Sequence, residues 1–354
     1  MSTLNVRSEA VDSFKKFIKG ETSESLEAIA RRAIGEISPE FLEKDTALDY
    51  TSDRTLRNSR ELAKSKLINT FLGYVDLPSV FQNVATSILI KKWANDKGTW
   101  RNWVSNIPLE NFIQSDITSI GVLPEPTKVS EGSNFNYVNL YGERATANLS
   151  SFGDIFNIGR GDLLNSNPGT LQELITAISS CFDCLVSTQV YNLLSQNPVC
   201  FEDRTLFHED HNNQVVKTGD YEKDLESALG LMFGQKISAD GKVQQLNIQP
   251  RFVIAPASES LALSKVLVDY NSVVSETQRI QLVIEPRLSG GGSWYLACDK
   301  ETSSIRTFTL EGSEAPTIQT KEYHQRNGMD VKYRFDIDVE PVDYRGLVQI
   351  KQAA

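Results

Sequence analysis

The chain has 354 residues, with 36 Lys+Arg against 46 Asp+Glu and a formal net charge of −10. That length suits one large domain or two to three ordinary ones, and 40% apolar with 23% charged residues is a globular rather than a disordered or fibrous composition. An acidic chain of this kind is excluded from coating DNA by general phosphate neutralisation.

The charge is unevenly placed. Residues 1–66 hold 12 basic and 12 acidic side chains, so the remaining 24 basic and 34 acidic groups carry the whole −10. A composition boundary therefore lies near Leu67, between a densely charged N-terminal segment and an acidic body. Four cysteines, Cys181, Cys184, Cys200 and Cys298, are too few for a disulfide framework at this length. The first 30 residues lack the apolar core of a secretory signal, and no uninterrupted apolar run approaches a bilayer span. These features point to a reducing cytoplasm and no membrane.

In chain order, the N-terminal segment reads as three short amphipathic helices. Ser8 caps one through Val11, Phe14, Phe17 and Ile18, Ser25 precedes a second ending at Gly35 and Pro39, and Asp53 to Thr70 forms a third. Their narrow apolar stripes need a partner surface, which suits an arm docking on a neighbouring subunit as well as a solvated extension. From Pro108 to Leu164 the pattern turns to β. Asn111–Gly121 and Tyr137–Ser150 flank a turn-rich connector containing Pro124, Pro126 and Gly132. A two-stranded ribbon of this length cannot stand alone and must lie against other structure.

The clearest helix starts at Asn167-Pro168, with Pro at the first helical position. Leu171, Leu174, Ile175, Ile178, Phe182, Leu185 and Val186 then recur at three- and four-residue steps, and Pro198 closes the stretch. Pro168–Ser195 would measure about 42 Å, with Glu173, Ser179, Asp183 and Ser187 as its polar stripe. Beyond it, Tyr221–Lys236 and Ser258–Val268 read as helices, and Arg251–Ala255, Ile280–Ile284 and Trp294–Cys298 as strands. From Ser304 to Ile350 the chain is strand after strand. The class is α+β, with neither a doubly wound sheet nor an internal repeat.

Catalytic patterning is sparse. Gly290-Gly291-Gly292 lacks the following Lys-Ser/Thr of a phosphate loop and precedes a strand. Cys181 and Cys184 share a helix face and, with Cys200, His208 and His211, outline a zinc site, but a second Cys pair is missing and they read as small buried thiols. His208-Glu209-Asp210-His211 is the one place where imidazoles and carboxylates cluster, in a chain with three histidines. A metal-dependent hydrolase using His208, Asp210 and His211 is the enzyme alternative; a polar turn is the plainer reading. No nucleophile elbow, zinc-protease or calcium-loop motif accompanies them, so no catalytic, cofactor or metal residue is assigned.

Several blocks resemble one family. Thr99-Trp100-Arg101, Lys128-Val129-Ser130-Glu131-Gly132, Phe152 to Arg160 and Asp162 to Asn165 are similar to the major head subunit of phage Mu and its relatives. So are Leu206 to Asn213, Pro250–Pro256, Glu285-Pro286-Arg287-Leu288 and Asp343-Tyr344-Arg345-Gly346, the Phe-His-x-Asp-His-x-Asn block being the most specific. The resemblance implies a Hong Kong 97-type capsid fold with an N-terminal arm (1–66), the start of a P-domain (67–107) and an E-loop with flanking strands (108–164). A P-domain with a spine helix (165–214), an A-domain (215–322) and return strands of the P-domain (323–354) complete it.

What the resemblance implies is a structural protein, the major capsid protein of a tailed phage, forming pentamers and hexamers of an icosahedral head around double-stranded DNA. Its partners would be its own copies, a portal, scaffold or prohead protease, and decoration proteins. Its place would be the virion, with assembly in the bacterial host cytoplasm. Some relatives carry a protease fused upstream; with only about 100 residues before the E-loop, that activity is expected to be absent. Lys128, Glu131 and Glu143 on the ribbon are candidates for intersubunit ion pairs. An encapsulin-like nanocompartment shell is the alternative within the same fold.

Overall fold

The structure is a computed structural model. It describes residues 77–118, 128, 129, 134, 144–159, 168–201, 203–239, 242–289, 292–322 and 328–352, together with Asp12, Ser13, Lys15 and Lys16. Apart from those four residues, the three expected N-terminal helices lie outside the described residues, as do Glu131, Glu143 and most of the ribbon connector.

In chain order the elements are α1 (Leu77–Ala94), β1 (Ser105–Leu109), β2 (Ser115–Thr118), β3 (Arg144–Ala147), β4 (Ser150–Gly159) and α2 (Pro168–Gln196). Then come β5 (Val199–Phe201), β6 (Arg204–Thr205), β7 (Gln214–Val216), α3 (Tyr221–Phe233), β8 (Lys236–Ala239), β9 (Lys242–Gln245), β10 (Pro250–Ala255) and α4 (Ser260–Val273). The chain ends with β11 (Gln281–Ile284), β12 (Trp294–Cys298), β13 (Ile305–Leu310), β14 (Thr317–Glu322), β15 (Gly328–Pro341) and β16 (Leu347–Lys351). The α+β class is as expected, and the chain divides into two compact units, with α2 and β15 each passing from one into the other.

The first unit holds α1, β4 from Ser151, α2 up to Phe182, β14 and β15 up to Phe335. α1 has no counterpart in the sequence reading. Its buried Phe81, Val84, Ala85, Leu89 and Trp93 follow helical spacing, yet Val80, Val84, Thr86, Ile88 and Ile90 give the stretch strand-like propensity. Packing on β14 overrides it: Gln82 Oε1 accepts Thr320 N–H at 3.1 Å, and Lys91 and Lys92 complement the helix dipole in the last turn. Trp93 meets Phe335 edge-on at 5.0 Å, and Phe182 meets Phe335 and Tyr333 at 5.6 Å each. β14 runs antiparallel to β15 with Thr317 opposite Arg334. On the other flank β4 pairs with β15, so closely that a Cβ at Gly153 would lie 2.2 Å from the Tyr333 carbonyl oxygen.

The second unit holds residues 97–150, 183–314 and 336–354. Here β13 lies between β1, parallel with Ser105 opposite Arg306, and the later half of β15, antiparallel with Ile305 opposite Pro341. β1 escapes sequence reading because Pro108 interrupts it, and an edge position is where a strand proline is tolerated. β2 and β3 form the antiparallel base of the ribbon, Thr118 facing Arg144. Their apolar side packs on Phe308 and Val342 through Ala145, Ala147 and Leu149. The expected strand at Asn111 begins only at Ser115, because the Asn111 side chain accepts Ile113 N–H at 2.9 Å and makes a turn.

A five-stranded sheet in the order β11-β10-β12-β16-β7 completes the unit. β10, α4 and β11 form a parallel crossover with Phe252 opposite Gln281. α3 and α4 cover one face, burying Leu225, Met232, Leu263 and Leu267 against Val253, Trp294, Leu296 and Val348. Asp220 caps α3 by accepting Glu222 N–H at 3.2 Å. α3 stops at Phe233 rather than Lys236, because Gly234 ends it and Lys236 starts the β8–β9 hairpin. The sheet ends in short edge strands, three residues in β7 and four in β11.

α2 spans 29 residues, about 44 Å, and fits its expected bounds within one residue. By length and composition its Gln172–Gln196 stretch would suffice to cross a membrane, which corrects the sequence reading: two isolated acidic residues break the apolar run without making the stretch polar. Its stripe of Ile175, Ile178, Phe182, Val186, Val190 and Leu194 is buried in protein. The polar stripe also needs correction, since Ser179 and Ser187 are buried and Asp183 is largely covered.

Candidate functional site

The motif residues that are far apart in sequence meet in pairs. In the second unit Thr99-Trp100-Arg101, a single helical turn, sits on the later half of α2. Asp183 accepts Trp100 Nε1–H at 2.9 Å and Arg101 Nε–H at 3.2 Å. The approach needs glycine beside it, since a Cβ on Gly98 would fall 2.3 Å from Asp183 Oδ1. A directed chain of donors follows: Trp103 Nε1–H to Tyr191 Oη at 3.4 Å, Tyr191 O–H to Thr99 Oγ1 at 2.8 Å, and Thr99 O–H to Glu285 Oε2 at 2.5 Å. Glu285, with a side chain only 1% exposed, also accepts from Arg287 Nη1 at 2.8 Å and Arg287 N–H at 3.1 Å. Burial pushes the Tyr191 hydroxyl up to about 12, so it serves as a fixed neutral donor. Charge-assisted bonds to a buried carboxylate are the strong kind, and here they fasten two motifs together.

The second junction joins the histidine block to the last motif. His211 stacks on Tyr344 at 3.9 Å and 11°, and its Nδ1 lies 3.3 Å from the Leu206 carbonyl, which assigns the proton to Nδ1. Buried Asn213 donates to Leu206 O at 2.9 Å and Tyr344 O at 3.4 Å and accepts His208 N–H at 3.1 Å. Arg345 holds its guanidinium 4.6 Å from the Tyr344 centroid and reaches Asp343 at 3.2 Å. Asn212 takes the left-handed conformation, φ 49°, which Asn tolerates. Gly346 is required by space, as a Cβ there would lie 2.5 Å from Cys298 Sγ.

These contacts correct the hydrolase and zinc alternatives. His208 Nδ1 accepts Asp210 N–H at 3.2 Å and so caps a helical turn, Asp210 pairs with Arg204 at 3.3 Å, and His211 faces the interior. Among the described residues no three His, Cys, Asp or Glu side chains form a metal-holding group. Cys181 and Cys184 are exposed rather than buried, and Cys184 Sγ receives a hydrogen bond from Arg287 Nη2 at 3.3 Å. Burial, then the Glu340 charge, pushes the Cys200 thiol up to about 11, and it donates to Pro198 O at 3.2 Å. An open groove between α1 and the first half of α2 is lined by Lys91, Lys92, Gln172 and Glu173, and no nucleophile and base converge there.

Sequence reasoning missed two features. Lys217 Nζ meets Glu259 Oε1 at 2.8 Å, and Tyr221 O–H donates to the same carboxylate. Burial works against the charged Glu259, but the bonds from Lys217 and Tyr221 outweigh it and hold the carboxyl below its usual range. The other is Glu340, directly opposite Arg306 on β13. Burial, then the neighbouring Asp338 carboxylate, pushes it up to about 7. A raised carboxyl in the folded state means that folding binds a proton between about pH 4.5 and 7. Stability linked to Glu340 is therefore full below that window and falls as pH rises through it. Glu340→Gln is expected to gain about 1–2 kcal/mol at pH 8, after discounting for solvent screening, and to flatten the fall. Urea denaturation at pH 5 and pH 8 checks both.

The remaining signal is surface. Leu261, Val268 and Val273 on α4 are 70%, 68% and 87% exposed, as is Val243 on β9 at 63%. Phe112 and Ile113, just before β2, are also exposed. Lys128 is exposed as well, and Glu131 and Glu143, the other candidates for intersubunit ion pairs, are outside the described residues.

Residues 143–350 match the family model described as Phage capsid protein. No curated protein matches the chain in sequence. Among solved structures, the capsid of the cyanophage P-SCSP1u aligns at 9% identity with a TM-score of 0.48, covering 72% of this chain and 88% of that one. The procapsid of bacteriophage JBD30 aligns at 10% and 0.45, covering 78% and 76%. An encapsulin complex from Synechococcus elongatus aligns at 12% and 0.45, covering 70% and 84%. All three scores are below 0.5, so the family model carries the assignment.

Proposed function

The chain belongs to the phage capsid protein family, and on that premise we propose that it is the major shell subunit of a tailed-phage head, in the Mu-type branch. It is a structural protein rather than an enzyme. Copies assemble into pentamers and hexamers of an icosahedral shell enclosing double-stranded DNA, in the Hong Kong 97-type arrangement of arm (1–66), E-loop (108–164), P-domain and A-domain (215–322). Portal, scaffold or prohead protease, and decoration proteins are its assembly partners, and the host cytoplasm is where the shell is built.

The observation that carries the reading, beside the family match, is the use of the motif residues. Thr99, Trp100, Glu285, His211, Tyr344 and Gly346 hold elements together and leave no reactive group presented. Such a chain is built to keep a shape. The ribbon base supplies the second support: it is two four-residue strands, and the sequence between them, read as the continuation of a two-stranded ribbon, would need a covering surface such as an adjacent subunit. Rings of identical subunits require head-to-tail contacts that close, and many modest contacts add up through multivalency. The −10 net charge suits an inner wall that does not grip packaged phosphates.

Negative-stain electron microscopy of the purified protein tests this, with closed shells as the expected result. Thr118 faces Arg144 across the ribbon base, so residues 119–143 can be replaced by an Asn-Gly turn. That variant is expected to keep the parent's thermal midpoint and to form no shells. Protein that stays monomeric under all assembly conditions, or a shortened variant that assembles as well as the parent, would overturn the reading. Particles that copurify with an enzyme in place of nucleic acid would instead identify a nanocompartment.

A further inference from the structure

Resting on the shell reading, we propose that the β8–β9 hairpin of one copy docks on the outer face of α4 in the next copy around the ring. In the hairpin, Lys236 stands opposite Gln245 and Ser238 opposite Val243, so Lys236, Val243 and Gln245 share one side of the ribbon, and all three are exposed. Two strands of four residues do not bury enough surface to be stable by themselves. The hairpin is therefore an element whose outer side is completed by something else.

α4 presents the complementary face. Leu263 and Leu267 turn inward, while Val268, Asp269 and Val273 are exposed on the opposite side. Asp269 and Val273 are four residues apart and adjacent on the helix surface. One side thus offers a lysine and a β-branched residue on one face, and the other a carboxylate with a valine one turn further on. Neither Lys236 nor Asp269 has an ion-pair partner among the described residues. The two patches lie on different elements of the same copy. In the rings of the shell reading a contact between them runs head-to-tail and closes by rotation. The occupant of the α4 face is accordingly a second copy of this chain.

Charge reversal tests the pairing in the full chain. Lys236→Glu and Asp269→Lys are each expected to lower shell yield by about tenfold or more, since like charges then face each other. Their combination is expected to restore yield to near the parent's, and all three variants to melt like the parent as unassembled subunits. A second measurement works without shells. Val243→Cys and Val268→Cys are placed in separate preparations, both with Cys181→Ser and Cys184→Ser, then mixed under mild oxidation. A disulfide-linked hetero-pair is expected, and neither preparation alone forms it. Single reversals that assemble like the parent, a double reversal that fails to recover, or an absent hetero-pair would overturn the contact. Shells without the hetero-pair fault this contact alone; the hetero-pair without shells faults the shell reading alone.

Discussion

Glu285→Ala is expected to be among the most destabilising single substitutions in the molecule. Its carboxylate is 1% exposed and takes hydrogen bonds from Thr99 at 2.5 Å and from Arg287 at 2.8 and 3.1 Å. Alanine leaves the Thr99 hydroxyl without its acceptor and removes the group that orients the Thr99 and Tyr191 hydroxyls, while Trp103 Nε1–H can only donate. Removing one partner of a buried charged pair costs about 3–5 kcal/mol. The lower end applies here, because the Arg287 side chain is 36% exposed and water can take over part of its role. At about 2–4 °C per kcal/mol for a unit of roughly 150–250 residues, the size class of the second unit, the midpoint of that unit falls by roughly 6–12 °C. Glu285→Gln keeps an acceptor for Thr99 and is expected to lose about half as much. Urea denaturation of unassembled subunits checks the order, and a loss below about 1 kcal/mol for the alanine variant would sink the clamp.

Gly153→Ala is the second large effect, and it works through the backbone. The added Cβ would sit 2.2 Å from the Tyr333 carbonyl oxygen and 3.0 Å from the Arg334 Cα. Neither atom belongs to a flexible side chain, so β4 and β15 must separate. Two contacts further along the same pairing go with them, Asn157 to Asp330 at 2.9 Å and Phe156 on Tyr333 at 6.0 Å. A loss of about 3 kcal/mol or more is expected, at the upper range for overpacking. Gly230→Ala is the internal control. Gly230 is exposed on α3, and a methyl group there would meet nothing within 4 Å. That variant is expected to gain about 0.5–1 kcal/mol from helix propensity. Equal melting of the two variants would contradict the role given to the β4–β15 approach.

Local signals were the legible part of the fold. Pro168 at a first helical position and a long run of three- and four-residue spacings placed α2 almost to the residue, and the compact apolar run Trp294–Cys298 placed β12. α1 was not legible, since its β-branched residues favour a strand and only the surface of β14 decides for helix. The motifs were visible as strings, and their meaning was not. Thr99 and Glu285 are 186 residues apart, and Asn213 and Tyr344 are 131 apart, so no window of sequence contains both halves of either junction. The same distance effect misplaced the thiols: a CxxC pair beside an apolar stripe looks buried, but the stripe turns Phe182 and Val186 inward and leaves Cys181 and Cys184 outside. His208 and His211, the most chemical-looking pair, were spent on a cap and a stack.

The short edge strands of the second unit's sheet bear on how mistakes are corrected. β7 and β11 end it with three and four residues, and each offers too little free backbone to zip onto another sheet. Across this sheet, copies crowded together during growth therefore cannot fuse by main-chain pairing, a bond too tight to undo. They must recognise each other through side chains and ribbons, whose separate contacts are weak enough to open again. A subunit added in the wrong orientation can leave, and only placements that satisfy several neighbours together persist. The blunt ends of one sheet in this way keep the growing particle reversible until it closes.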